Sequence, residues 1–323
     1  MYDPVLLARA SAQLVERCAE RRARTAVLRE EIYVTVPDIA DIDAEMRTGL
    51  LCAVRQAFAH PDGGDLALEE CRERNLALRA RRTEILVDNG YPSGALDDQP
   101  DCVLCGDQGY SEGKPCVCLR KLHSDMQREQ LSECLDITSQ SFEAFDLSLF
   151  STVVDTSERD SPRENMAWFL KYCRKYARCF SRDSANLLLR GGPGLGKTFL
   201  CACIAGVVSK GPFWVVYETA ASAIGLMEAV KFARDTQADV QNERLFACDL
   251  LLLDDLGSEF STQFSQSALF SLVSARLAAH RPIIATTALG EEELRRRYPS
   301  QLVSRLESFE LLPLFGTDLR RQI

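Results

Sequence analysis

The sequence predicts an α/β domain on a parallel sheet of about five strands, preceded by a small cysteine-rich module and an N-terminal helical domain. Three features predict it. From about residue 165, short apolar runs alternate with stretches of helical periodicity, as parallel strands buried on both faces require. A glycine-rich loop, 191-GGPGLGKT-198, joins one such run to the next helix. Four cysteines crowd into residues 102–118, where almost nothing apolar lies between them to make a core.

At 323 residues the chain exceeds one small domain, so two or more units are expected. Its 46% hydrophobic and 26% charged residues are ordinary for a globular protein. No apolar run approaches the roughly 20 residues that cross a bilayer. The opening MYDPVLLARASAQLVERCAERR lacks the basic start and apolar block of a secretory signal. No membrane association is expected, and thirteen cysteines without an export signal point to a reducing, cytoplasmic setting. A net charge of −9 argues against broad nucleic-acid affinity. It leaves room for a local basic groove at 171-KYCRKYARCFSR-182, although a solvated helix face explains that run as well.

Leu6, Leu7, Ala10, Leu14, Cys18, Leu28 and Ile32 stand at helical spacing within 4–34. A second periodic segment, 39–60, stops at Pro61-Asp62-Gly63-Gly64, and a third, from about Leu66 to Asp88, closes on Asn89-Gly90. Residues 1–95 are therefore expected as a helical domain without a catalytic set. Residues 96–136 hold the cysteines and a charged linker helix at about 119–134, and 152–164 reads as a polar loop. Residues 137–323 form the α/β domain, with 186-NLLLRG-191, 212-PFWVVY-217, 249-DLLLLD-254, 282-PIIATT-287 and 308-SFELLPL-314 as strands.

Gly191, Gly192, Pro193, Gly194, Leu195, Gly196, Lys197 and Thr198 fit G-x-x-x-x-G-K-[ST]. The glycines let backbone N–H groups turn inward around phosphates, and the following helix adds its N-terminal dipole. Lys197 is expected at the β- and γ-phosphates of ATP and the Thr198 hydroxyl on Mg2+, with Phe199 completing the nucleotide-binding set. A turn without a ligand leaves Lys197 and Thr198 unexplained. A second strand, 250-LLLLDDLGSE-259, brings out Asp254 and Asp255 at its C-terminal end, where α/β sheets bind ligands. Asp254 is expected in the Mg2+ shell and Asp255 beside the attacking water. The plain alternative is a strand ending in a solvated acidic turn.

With these residues in place the sequence resembles a known group. GGPGLGKT, LLLLDDLGSE, 281-RPIIATTAL-289 and 302-LVSRLESFELLPLFGTDLR-320 are together similar to the AAA+ P-loop ATPases of the DnaC/DnaI/IstB group. Upstream, 90-GYPSGAL-96, the cysteine cluster and 140-QSFEAFDLSLF-150 resemble DnaI-like helicase loaders. The likeness covers about 80–323. It implies an AAA+ P-loop NTPase domain in which Arg305 is an arginine finger for a neighbouring subunit's γ-phosphate, and Arg320 a phosphate sensor in cis. It implies an N-terminal domain that grips a hexameric DnaB-type replicative helicase. The ATPase domain would self-associate and contact single-stranded DNA. Two departures bear on turnover. The sensor phrase, Thr-Asn-Leu in relatives, is Thr287-Ala288-Leu289, which leaves Thr287 as the nearest substitute for the amide that positions water. Ser274 stands where many relatives have Asn. Slow hydrolysis is expected, closer to a switch than a motor.

The cysteines read Cys102-x-x-Cys105, ten residues, then Cys116-x-Cys118. Four thiolates at that spacing suit a closed, structural tetrahedral Zn2+ site, and Gly106, Gly109 and Gly113 permit the turns. A disulfide or redox pair, or simple packing, are the alternatives. Three functions remain open: a loader of the replicative helicase in DNA replication, an IstB-like transposition helper, and a non-hydrolysing ATP-sensing scaffold. The cysteine module favours the first over the second. Ala288 favours the third over an active ATPase.

Overall fold

The computed structural model describes residues 2–59, 64–154 and 160–321. The chain divides into two compact units, Ser11–Cys118 and Leu119–Ile323 together with Met1–Ala10. Among the described residues no helix is long and apolar enough to cross a membrane.

The first unit is built on three helices, α1 (Pro4–Thr35), α2 (Pro37–Ala59) and α3 (Gly64–Asp88). Pro37 separates the first two, because a proline has no N–H to continue a helix but suits a first turn. Ile32, Val36, Ile39, Leu86 and Leu96 form a small buried cluster. Beside it Asp43 accepts the Tyr33 hydroxyl (2.6 Å) and pairs with Arg82 (3.1 Å). Helix α3 stops as its sequence dictates. Gly90 takes φ +80°, the Gly90 N–H reaches the Val87 carbonyl (3.0 Å), and the Tyr91 N–H reaches that of Leu86 (2.9 Å). That is the double bond pattern of a Schellman end. A two-stranded antiparallel hairpin, β1 (Tyr110–Ser111) and β2 (Lys114–Pro115), turns the chain between the two cysteine pairs.

The second unit contains α4 (Val117–Cys134), α5 (Pro162–Arg178), β3 (Leu187–Arg190), α6 (Lys197–Val208) and β4 (Val215–Thr219). It continues with α7 (Ala220–Glu228), α8 (Thr236–Ala247), β5 (Leu250–Leu256), α9 (Gln263–Ala278) and β6 (Ile283–Thr287). The chain ends through α10 (Glu291–Arg297), α11 (Ser300–Leu306) and β7 (Glu310–Pro313). The five strands β4-β5-β6-β3-β7 form one parallel sheet, as the alternation of apolar runs predicts.

The four leucines of β5 explain why both faces are covered. Leu250 and Leu252 enter one core with Leu187, Leu189 and Ile284. Leu251 and Leu253 enter the other with Leu188, Ile283 and Ala285. A strand's period of two sends neighbours to opposite faces, so an unbroken apolar run needs helices on each. The stretch 152–164, read as a loop, is shorter on its C-terminal side. Ser161 caps α5 in a capping box with Glu164 while Pro162 opens the helix. Residues 155–159 of that stretch lie outside the described residues.

The open edge of β4 is covered within the unit. The Gln127 side chain donates to the Phe213 carbonyl (3.0 Å) and accepts the Val215 N–H (3.2 Å), satisfying backbone groups that an exposed edge leaves unpaired. Arg276 on α9 is fully buried and bonds the carbonyls of Leu245 (2.7 Å) and Pro282 (2.8 Å). Its charge is compensated by backbone dipoles rather than a carboxylate, and it ties the ends of α8 and the start of β6 together.

Candidate nucleotide site and cysteine cluster

Strand β3 delivers the chain into the glycine loop, and three of its glycines have a steric or conformational reason. A Cβ on Gly191 would stand 2.2 Å from the Leu314 carbonyl oxygen, and one on Gly194 would stand 1.6 Å from an Asp318 carboxylate oxygen. Gly196 adopts φ +84° immediately before α6. The closing Gly-Thr-Asp-Leu-Arg phrase therefore lies against the loop. The Leu319 N–H also donates to the Gly194 carbonyl (3.3 Å). Arg320 is exposed there, close enough for its charge to push Lys197 down.

Lys197 is buried and curls back over the loop, donating from Nζ to the carbonyls of Gly191 (2.8 Å) and Gly192 (2.7 Å). Burial lowers its pKa, against the pull of Asp254 and Asp255. Phosphate oxygens would take over those carbonyls' place as partners. Leu195 is buried under the loop. Phe199 packs perpendicular to Phe145 (5.1 Å), which stacks on Phe150. The Phe199 side chain thus serves the core beneath the loop, through aromatics of the 140–150 phrase.

Asp254 is the centre of the site. Its carboxylate accepts hydroxyls from Thr198 (2.8 Å), Tyr217 (2.9 Å) and Thr286. Thr198 can keep its hydrogen on Asp254 while offering an oxygen lone pair to a cation. This donor set, a hydroxyl and an adjacent carboxylate at the phosphate loop, fits Mg2+, which favours oxygen ligands and retains water.

The two neighbouring acids face different surroundings because β5 bulges there. Leu253 pairs with Ala285 and Leu256 with Thr287, so one extra residue is accommodated. Asp255 takes φ +56° and is exposed, with its N–H on the Thr286 hydroxyl (2.9 Å), whereas Asp254 is buried.

Sequence reasoning singled out Thr287 and passed over Thr286 and Tyr217. Thr287 is completely buried. Its hydroxyl donates to the Leu256 carbonyl (2.6 Å) and accepts the Leu289 N–H (3.1 Å). Its hydrogen is committed to the backbone, so it is placed to lock β6 onto β5 rather than to donate to a water. Thr286, one residue earlier on the opposite face, is the one that bonds the acids.

Arg305 lies on α11, its guanidinium 4.5 Å over the Phe270 ring with a long bond to the Gln301 carbonyl (3.4 Å). None of its described partners belongs to its own phosphate loop. Tyr217→Phe tests the Asp254 cluster. Removing one donor to a buried carboxylate is expected to cost about 1–3 kcal/mol in the nucleotide-free protein, and less with Mg2+ and ATP added. Thermal denaturation in both conditions measures the difference. An equal loss in both would show that the Tyr217 hydroxyl stabilises Asp254 independently of the nucleotide site.

In the first unit, Cys102, Cys105, Cys116 and Cys118 bring their sulfurs within 4.8 Å of one another, with Cys102–Cys116 at 3.7 Å and Cys105–Cys118 at 3.5 Å. Metal–sulfur bonds near 2.3 Å set tetrahedral sulfur edges of roughly 3.8 Å, so the four thiols fit one metal ion. The Cys105 backbone N–H, followed by the neighbouring thiols, brings Cys102 down to about 7, while burial raises Cys105 and Cys118. Asp107, buried and at φ +64°, accepts the Cys102 N–H (2.8 Å) and the Asp101 N–H (3.2 Å), and pairs with Arg21 of α1. Arg21 also holds Asp98 (2.9 Å). The cysteine turn is thus fastened to α1 by residues the sequence reading did not pick out. His123, five residues after Cys118, belongs to the other unit and packs against Tyr2.

Comparisons with known proteins agree with the geometry. The family model described as IstB-like ATP binding protein matches residues 171–299. An insertion-sequence ATP-binding protein of Sinorhizobium fredii is 32% identical over 36% of this chain and 38% of its own length. The replicative helicase loader DnaC of Escherichia coli is 22% identical over 42% of this chain and 56% of its own. The chain thus spans 38% to 57% of the length of the first curated relatives it matches. Among solved structures, a crystal structure of the DnaC helicase loader gives a TM-score of 0.46 at 17% identity, covering 56% of this chain and 99% of that one. That of DnaI gives 0.44 at 19%, covering 57% and 93%. Over residues 171–299, where the IstB-like ATP-binding family model matches, the chain carries the glycine loop and the acid-bearing strand of a five-stranded parallel sheet, so that this part of it is an IstB-like ATP-binding domain.

Proposed function

We propose that this chain is an ATP-dependent adaptor that delivers a DnaB-type replicative helicase to single-stranded DNA, with slow ATP turnover. The observation that carries the nucleotide part is the Thr198–Asp254 pair beside the curled Lys197. In this reading Gly191 to Phe199 hold the nucleotide, with Lys197 on the β- and γ-phosphates. Thr198 and Asp254 hold Mg2+, which when bound neutralises charge on the transferred phosphoryl group. Asp255, exposed at the bulge, accepts the proton of the attacking water. Arg320, seated on the loop by Asp318, senses the phosphates in cis, and Arg305 serves a neighbouring subunit. The four cysteines hold a structural Zn2+. Residues 1–95 bind the partner, 96–136 are the zinc module and linker helix, and 137–323 are the ATPase. The setting is the cytoplasm, where helicase and DNA are.

A second reading, a helper ATPase of DNA transposition, is favoured by the insertion-sequence relative's higher identity, 32% against 22%. One experiment separates them. The tagged chain is offered a hexameric replicative helicase or an insertion-sequence transposase, each with ATP, ADP or no nucleotide. Nucleotide-dependent retention of the helicase alone supports the loader, and of the transposase alone the transposition helper. Retention of neither overturns both.

A further inference from the structure

Helix α5 is strongly amphipathic, and its outward stripe has an unusual composition. Phe169, Leu170, Cys173 and Ala177 are buried in the core. At the complementary spacing Trp168, Lys171, Lys175 and Arg178 are exposed, Trp168 by 58%. Trp168 lies nearly parallel to Tyr172, with ring centroids 5.4 Å apart and planes at 20°. The Tyr172 hydroxyl is held by Glu310 of β7, which restricts the pair from below. Among the described residues, Lys171, Lys175 and Arg178 form no ion pair, whereas Arg174 on the flank pairs with Glu143 (3.7 Å). The acids bordering the stripe are Glu164, one turn before Trp168, and the Glu310 already engaged by Tyr172.

On a chain of net charge −9, this stripe sets a half-exposed aromatic platform before three cations that form no ion pair among the described residues. Burial does not account for Trp168, and although Lys175 and Arg178 in the last turn suit the helix dipole, that does not extend to Lys171 or to the aromatic platform beside them. The chemistry that satisfies both parts is a flat π-surface attached to a chain of phosphates. We infer that the exposed stripe of α5 binds a single strand of nucleic acid, one base stacking on Trp168 and the adjoining phosphates lying along Lys171, Lys175 and Arg178. Duplex DNA offers phosphates but no free base face, so it meets only half of the site. The inference rests on the proposed work on single-stranded DNA and names the surface that performs it.

The test uses the full chain with ATP and an oligothymidylate of about 20 nucleotides. Affinities are read from the anisotropy of a dye-labelled oligomer, and because Trp214 is only 3% exposed, quenching of tryptophan emission in the wild-type chain locates the contact at Trp168. Trp168→Ala should weaken binding about tenfold or more and leave the salt dependence unchanged. The triple change Lys171→Ala, Lys175→Ala, Arg178→Ala should reduce the slope of log K against log salt by about 2, at roughly 0.7 per lost phosphate contact. All four side chains are exposed, and unchanged ATP binding and melting temperature confirm folding. If the wild-type chain binds the oligomer and both variants match it in affinity and slope, the surface is elsewhere and only this inference falls. Equal affinity for a duplex of the same length overturns the stacking site. If the wild-type chain does not bind, both the inference and the single-stranded DNA reading fall.

Discussion

Arg305→Ala protein is expected to hydrolyse ATP slower by roughly 10³-fold, within the range arginine fingers supply, while still binding nucleotide. Mixing it with Lys197→Ala protein should restore part of the activity. The argument begins from where the guanidinium is held. It stacks on Phe270 of α9, and its hydrogen bond to Gln301 is long. A stack of this kind contributes about 0.5–1 kcal/mol at an exposed site, small enough for a neighbouring γ-phosphate to displace it. Lys197, Thr198 and Asp254 converge at the chain's own phosphate loop, and Arg305 touches none of them. A fixed cation that arrives only from a second subunit would stabilise charge developing in phosphoryl transfer only within a correctly stacked assembly. In mixed assemblies, one variant supplies an intact pocket and the other an intact finger. No recovery at any ratio, with oligomers confirmed by light scattering, would show that Arg305 does not act in trans. A drop of under twofold in the single variant would return it to a surface stack.

The second large effect is expected at the cysteines. Elemental analysis should find about one zinc per chain, and Cys102→Ser with Cys105→Ser should remove it. Structural zinc contributes about 10–16 kcal/mol in small peptides, and little else holds this turn. The buried apolar cluster of the first unit reaches it only as far as Leu96. The remaining support is polar, through Asp107 and Arg21. A partner lost from that network leaves buried charge behind. The double variant should therefore lose the protease resistance of residues 96–118 and lower the first melting transition, with ATP binding retained in the second unit. A metal-free, fully folded protein carrying a Cys102–Cys105 disulfide would refute the zinc site.

Both sites were legible in part, for the same physical reason. Local geometry with strict steric demands was legible. Glycines in the phosphate loop, Asn89-Gly90 at the end of α3 and Pro37 at the start of α2 act within a few residues, so their order along the chain carries the information. The cysteine spacing was legible on the same grounds. The alternation of apolar runs and helices likewise implied a parallel sheet with two covered faces, which the division of the β5 leucines between two cores bears out.

By itself, then, the sequence determined the α/β class, the phosphate loop, the acid-bearing strand and the helical N-terminal region. These follow from periodicity and from backbone conformations that few residues adopt. Only the tertiary structure decided which threonine meets Asp254. The choice between Thr286 and Thr287 depends on a bulge in a different strand, and the two residues differ by one step in a period of two. Tyr217 comes from the far neighbour of that strand, Asp318 from the chain's last turn, and Arg21 from a helix 86 residues before the aspartate it holds. Partners that meet only after strands and helices pack leave no spacing to read, because their proximity is set by the sheet order and not by the chain.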